Sequence, residues 1–206
     1  MEANRYMRTS AIVAIGVLLV AGAAQAVSVA DITAGGITTS YDWATRVLTA
    51  SGTTSALDLD GLAPPDYIVG SGFTSGAFSL VMQLHSDGSL DHGTLTLGGQ
   101  VSALGAGSGT LLTGSITEFT YNASPGSNDF DLHVGGLGGD LASYFRGQAE
   151  ILLSSFGAEF SPASSYNSLG FDSADVRGNP VPEPLTAAGV LLSLSGLAGY
   201  LRRRFA

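Results

Sequence analysis

The chain contains no cysteine and no lysine, a single tryptophan, and few aromatic residues of any kind, 8% of its 206 residues. Without cysteine, no disulfide, thiolate metal site or cysteine nucleophile can form within it, so the fold rests on burial. Without lysine, every fixed positive side chain is one of eight arginines. Five of these, Arg5, Arg8, Arg202, Arg203 and Arg204, lie near the ends. Between Val27 and Pro184 only Arg46, Arg146 and Arg177 stand against 16 acidic residues, a net charge of −13. A body so acidic repels phosphate, which sets aside nucleic acid and anionic lipid headgroups as partners. With both ends removed, about 155 residues remain, the size of one domain with its own core.

The ends read as addresses. MEANRYMRTSAIVAIGVLLVAGAAQA places Arg5 and Arg8 before an apolar run, with Ala24 and Ala26 closing an Ala-Gln-Ala site. This is the layout of a secretory signal peptide, residues 1–26, with Val27 as the first mature residue. At the other end, Leu185 to Leu201 carries no charge over 17 residues. At 1.5 Å rise per residue that length just spans a hydrocarbon core of about 30 Å. Arg202, Arg203 and Arg204 then form a basic tail, residues 202–206, that holds the C-terminus on the cytoplasmic side and leaves the body outside. Between body and span lies a linker, residues 176–184, in which Pro182 and Pro184 keep VPEP extended.

Pro182-Glu183-Pro184, followed by a short apolar helix and terminal arginines, resembles the PEP-CTERM sorting signal of Gram-negative bacteria. The resemblance covers about 25 residues. It implies removal of the tail by exosortase, a membrane enzyme that reads Pro182, Glu183 and Pro184, after signal peptidase has acted at the other end. It further implies an inner-membrane-anchored precursor with its body in the periplasm, then a cell-surface or extracellular-matrix protein in bacteria that make exopolysaccharide.

The body, residues 27–175, reads as all-β. In AFSLVMQLH, Phe78, Leu80, Met82 and Leu84 alternate with Ser79, Gln83 and His85, and TLTLGG resumes with Leu95 and Leu97 after the turn SDGSLDHG. DFDLHVGG places Phe130, Leu132 and Val134 on one face and Asp129, Asp131 and His133 on the other. The expected fold is an antiparallel, jelly-roll-like β-sandwich. DLASYFRGQ predicts a helical turn through Leu141, Tyr144 and Phe145, while ASPGSND and NSLGFDSADVRGNP read as loops, the second running on as a flexible stalk. The 29 glycines are scattered, which excludes a collagen-like rod and points to turns and bulges.

Chemistry is sparse. His85, His92 and His133 lack H-x-x-x-H or H-x-H spacing, so polar-face histidines are expected rather than a metal site. DLDG, DGSLD and NDFD carry oxygen ligands but match no EF-hand loop, and read as acidic turns. No G-x-S-x-G elbow is present. Trp43 with Tyr41 could stack on a sugar, although a core position is the stronger expectation. The sequence thus predicts a non-enzymatic exported surface or matrix protein with no cofactor and no metal. A carbohydrate- or calcium-binding module and a secreted hydrolase are the alternatives.

Overall fold

The computed structural model describes residues 30–59 and 64–178. Ala24, Ala26, Val27, Pro182, Glu183, Pro184, the run 185–201 and Arg202, Arg203 and Arg204 lie outside the described residues. Among the described residues, no helix is long and apolar enough to cross a membrane.

Among the described residues ten strands follow one another: β1 (Asp31–Asp42), β2 (Val47–Asp58), β3 (Tyr67–Val69), β4 (Gly72–Leu84), β5 (Leu90–Val101), β6 (Ala106–Ser124), β7 (Ser127–Gly138), β8 (Gln148–Ser155), β9 (Tyr166–Asn167) and β10 (Asp172–Gly178). Eight of them pair antiparallel in the circuit β1-β2-β4-β5-β6-β7-β8-β10, and β10 returns to β1 through Ile32↔Val176 and Ala34↔Ala174. The antiparallel all-β body expected from the sequence is what forms. Its strands make one sheet closed on itself rather than two stacked sheets, because β10 is hydrogen-bonded along both edges. Closure leaves the long strands without an open edge.

Side-chain alternation fixes which face points inward. Ile32, Leu48, Leu57, Leu80, Leu95, Leu97, Leu112, Leu132, Ile151 and Val176 are all fully buried. An eight-stranded barrel is just wide enough for such side chains to fill it. The outer wall carries Thr49, Ser79, Thr94, Thr96, Ser115, Asp131, His133, Glu150, Asp175 and Arg177, each exposed or half-buried. Apolar inside and polar outside is the reverse of a lipid-facing barrel.

Bulges curl the strands into this shape, and glycine serves them. Register shifts fall between Ala34 and Ile37, where Gly36 has φ 58°, and between Ser75 and Phe78. At the second, a Cβ on Gly76 would lie 2.1 Å from the Gly98 carbonyl carbon, so only glycine permits the approach of β4 to β5. Thr54, fully buried, donates to the Gly98 carbonyl at 3.0 Å and accepts from the Gly76 amide at 3.0 Å, satisfying backbone groups the bulge leaves free.

One rim is sealed by aromatic rings over a polar layer. Phe160, in the segment between β8 and β9, packs edge-on against Tyr41, Tyr121, Phe130 and Tyr166 at 4.9–6.0 Å between centroids. Below it the Asp172 carboxylate, 1% exposed, accepts from Thr39 Oγ1 (2.6 Å), Ser155 Oγ (2.9 Å) and the Phe156 amide (3.0 Å). Ser155 continues to Tyr166 Oη at 2.7 Å, and Asn128 Nδ2 donates to that oxygen at 3.2 Å. The same asparagine accepts from the Phe160 amide at 2.8 Å, so the network holds the plug.

Two sequence expectations are corrected. Asp172–Gly178, read as a loop and stalk, is the strand that closes the barrel, so residues 176–178 belong to the body and not to the linker. Its inward positions are Asp172, Ala174, Val176 and Gly178, with only one large apolar side chain, which hides the alternation. Trp43, expected in the core, is 57% exposed in the β1–β2 turn. There Asp42 accepts from the Ala44 amide and Thr45 Oγ1, ending the strand one residue before the ring. In DLASYFRGQ, short turns bury Leu141 and Phe145 but leave Tyr144 exposed.

Asp172→Ala strands two buried hydroxyl donors and the partly buried Phe156 amide, and we expect a loss of about 3 kcal/mol in urea unfolding. Asp129→Ala, which removes only an exposed contact to Ser154, should stay within about 0.5 kcal/mol.

Candidate functional site

Antiparallel strands alternate in direction, so the turns fall on two rims. The plugged rim carries the β1–β2, β4–β5 and β6–β7 turns and the long 156–171 connection. The other rim carries the β5–β6 and β7–β8 connections and both ends of the body, where the Gly178 amide donates to the Ala30 carbonyl at 2.7 Å.

The plugged rim exposes apolar side chains. Trp43, Phe156, Leu169 and Phe171 are 57%, 40%, 68% and 79% exposed. Beside the Trp43 turn, the outer face of β2, β4 and β5 holds a shallow depression of about 200 Å³ lined by Val47, Val81, Gln83, His92 and Thr94. Gln83 Nε2 donates to the Thr45 carbonyl at 2.7 Å, which ties the depression to that turn. Arg46, in the same turn, has φ 59°, an uncommon left-handed backbone for a residue other than glycine.

The three histidines are not gathered. His85 Nε2 and His92 Nδ1 flank Asp91 at 3.9 and 3.2 Å, whereas His133 lies on β7 with Nε2 3.9 Å from Glu118 Oε2. In DGSLD, Asp87 serves the turn, accepting from Ser89 Oγ (2.6 Å) and the Ser89 amide (3.0 Å). Those two bonds hold its carboxyl below the usual value of 3.8. In NDFD, Asn128 belongs to the buried network and Asp129 accepts from Ser154 Oγ. In DLDG, Asp58 is the register partner of Asp31.

Strand register assembles what the sequence keeps apart. One row across the outer wall reads Glu118, His133, Glu150, Arg177, Asp31 and Asp58, on β6, β7, β8, β10, β1 and β2. Arg177 donates to Asp31 at 3.4 Å and Asp175 at 3.0 Å. One ligand atom each from Asp131, His133 and Glu150 lies within 4.8 Å of the others. The D-x-H spacing of Asp131 and His133 put them on one face in the sequence. Glu150 was invisible there, since its place depends on how β8 registers against β7.

Charge is unevenly compensated along this row. Burial pushes the Asp31 carboxyl above 3.8, Asp175 adds to the rise, and Arg177 offsets only part of it. Comparison of the chain with family models, curated proteins and solved structures finds no match.

Because the folded chain holds the Asp31 proton more tightly than the unfolded one, its ionisation costs stability as pH rises above 3.8. Asp31→Asn should therefore raise Tm at pH 7, with the gain shrinking toward zero as pH falls below the ordinary carboxylate range. A gain that grows in acid would contradict this.

Proposed function

We propose that the protein is an exported, non-enzymatic component of the cell surface or extracellular matrix, sorted through a PEP-CTERM signal and associated with exopolysaccharide. Signal peptidase removes residues 1–26. The span 185–201 and Arg202, Arg203 and Arg204 hold the precursor in the inner membrane with its body in the periplasm until exosortase reads Pro182, Glu183 and Pro184. The observation that supports this reading best is the bond between Gly178 and Ala30. It joins both ends of the body at the rim opposite the aromatic one, so the chain that would carry the sorting signal leaves the body away from those rings. A closed edge and a Thr/Ser-rich wall suit a protein kept at high local concentration outside the cell, since open strand edges aggregate.

A second reading, a carbohydrate-binding module, is favoured by one observation, the exposed indole of Trp43 beside the depression lined by Gln83, His92 and Thr94. Sugar C–H faces stack on such rings while hydroxyls bond to polar neighbours.

The sorting claim is tested by expressing the epitope-tagged chain with and without exosortase. A lower apparent mass and release from the membrane are expected only with the enzyme; identical mass and full membrane retention in both hosts reject it. The second reading is tested on purified exopolysaccharide, where Trp43→Ala should weaken binding roughly tenfold. Equal binding by both forms removes it.

A further inference from the structure

The outer wall of β6, β7 and β8 crowds Glu118, Asp131 and Glu150 around the imidazole of His133. Like charges on neighbouring strands repel. The nearest arginine in the row, Arg177, directs its guanidinium to Asp31 and Asp175 instead. In register, Asp131 stands between Thr120 and Leu152, neither a cation. Its Oδ1 is shielded from solvent and has no hydrogen-bond partner, an expensive state for a carboxylate oxygen. Two separate observations thus meet at one place: a convergent nitrogen and oxygen donor set, and a buried acceptor lacking a donor.

We propose that Asp131, His133 and Glu150 form a binding site for a divalent transition cation of the zinc type. Carboxylates alone would suit calcium or magnesium; an imidazole nitrogen in the set shifts preference toward zinc and its neighbours. Three protein donors are the complement of an open zinc site, in which water takes the remaining position. Asp131 and His133 share one face of β7 and Glu150 comes from β8, so the ion would also clamp these two strands.

The test uses the full-length chain stripped of metal with EDTA and titrated with ZnCl2 by calorimetry, with Tm followed in parallel. Expected are saturable binding of one ion per chain, a higher Tm with zinc, and a smaller response to CaCl2. His133→Ala and Glu150→Gln should each weaken binding at least about tenfold, while His92→Ala leaves it unchanged. These are surface positions, and an unchanged far-ultraviolet circular dichroism spectrum checks that each variant folds. Should His133→Ala fail that check, Glu150→Gln decides alone. Absence of saturable zinc binding, calcium binding of equal strength, or full affinity in the folded variants overturns the proposal. Loss on His92→Ala instead would place the ion at the Asp91 hairpin and overturn it equally. None of these outcomes depends on whether exosortase trims the tail.

Discussion

The pairing of β10 with β1 is the constraint on which the remaining structure depends. Seven residues, Asp172–Gly178, convert a row of hairpins into a closed wall by bonding to β8 on one side and β1 on the other. Hairpins form from neighbours in sequence, but this contact joins the two ends of the body and carries the largest loop-closure cost. Asp172 stands where that pairing ends. Its carboxylate takes three donors from β1, β8 and the connection that follows β8, so a polar side chain continues what backbone bonds begin. Once closed, the wall buries its aliphatic faces against one another, and Phe160 seals the rim.

Closure also decides where charge goes. With the interior apolar, every carboxylate except Asp172 among the described residues is left at least partly accessible, and the barrel's register lines several of them up. Arg177 relieves part of that crowding at Asp31 and Asp175. At the β7–β8 cluster Arg177, the register partner of Glu150, turns its guanidinium to Asp31 and Asp175 instead, which is the opening the proposed cation would fill. The same closure brings the two ends of the body together and puts the aromatic rim opposite them, so architecture and exposed surface have one cause.

Local features were legible in the sequence and non-local ones were not. Phe78, Leu80, Met82 and Leu84 alternate cleanly and sit opposite Leu97, Leu95, Gly93 and Leu90, as the hairpin reading requires. Phe130, Leu132 and Val134 point inward as their spacing predicts. Trp43 departs from its expected core position because the Asx turn at Asp42, encoded in D-W-A-T, turns the ring outward even though Tyr41, two residues earlier, is inward. The closing strand misled for a different reason. Asp172 serves the buried polar layer beneath Phe160 and Ala174 pairs with Ala34, so two of the four inward positions lack the large apolar residues that announce a strand elsewhere. The Asp131, His133 and Glu150 cluster needed the register between β7 and β8, which no single segment carries.

The most direct measurement of the central claim is amide hydrogen exchange on the full-length chain. If β10 closes the barrel, the amides of Ala174 and Val176 exchange at the slow, global rate shared by Leu132 and Ile151. Exchange there at the rate of an exposed loop, with Leu132 and Ile151 still protected, would mean that the wall is open and that 172–178 is a stalk after all.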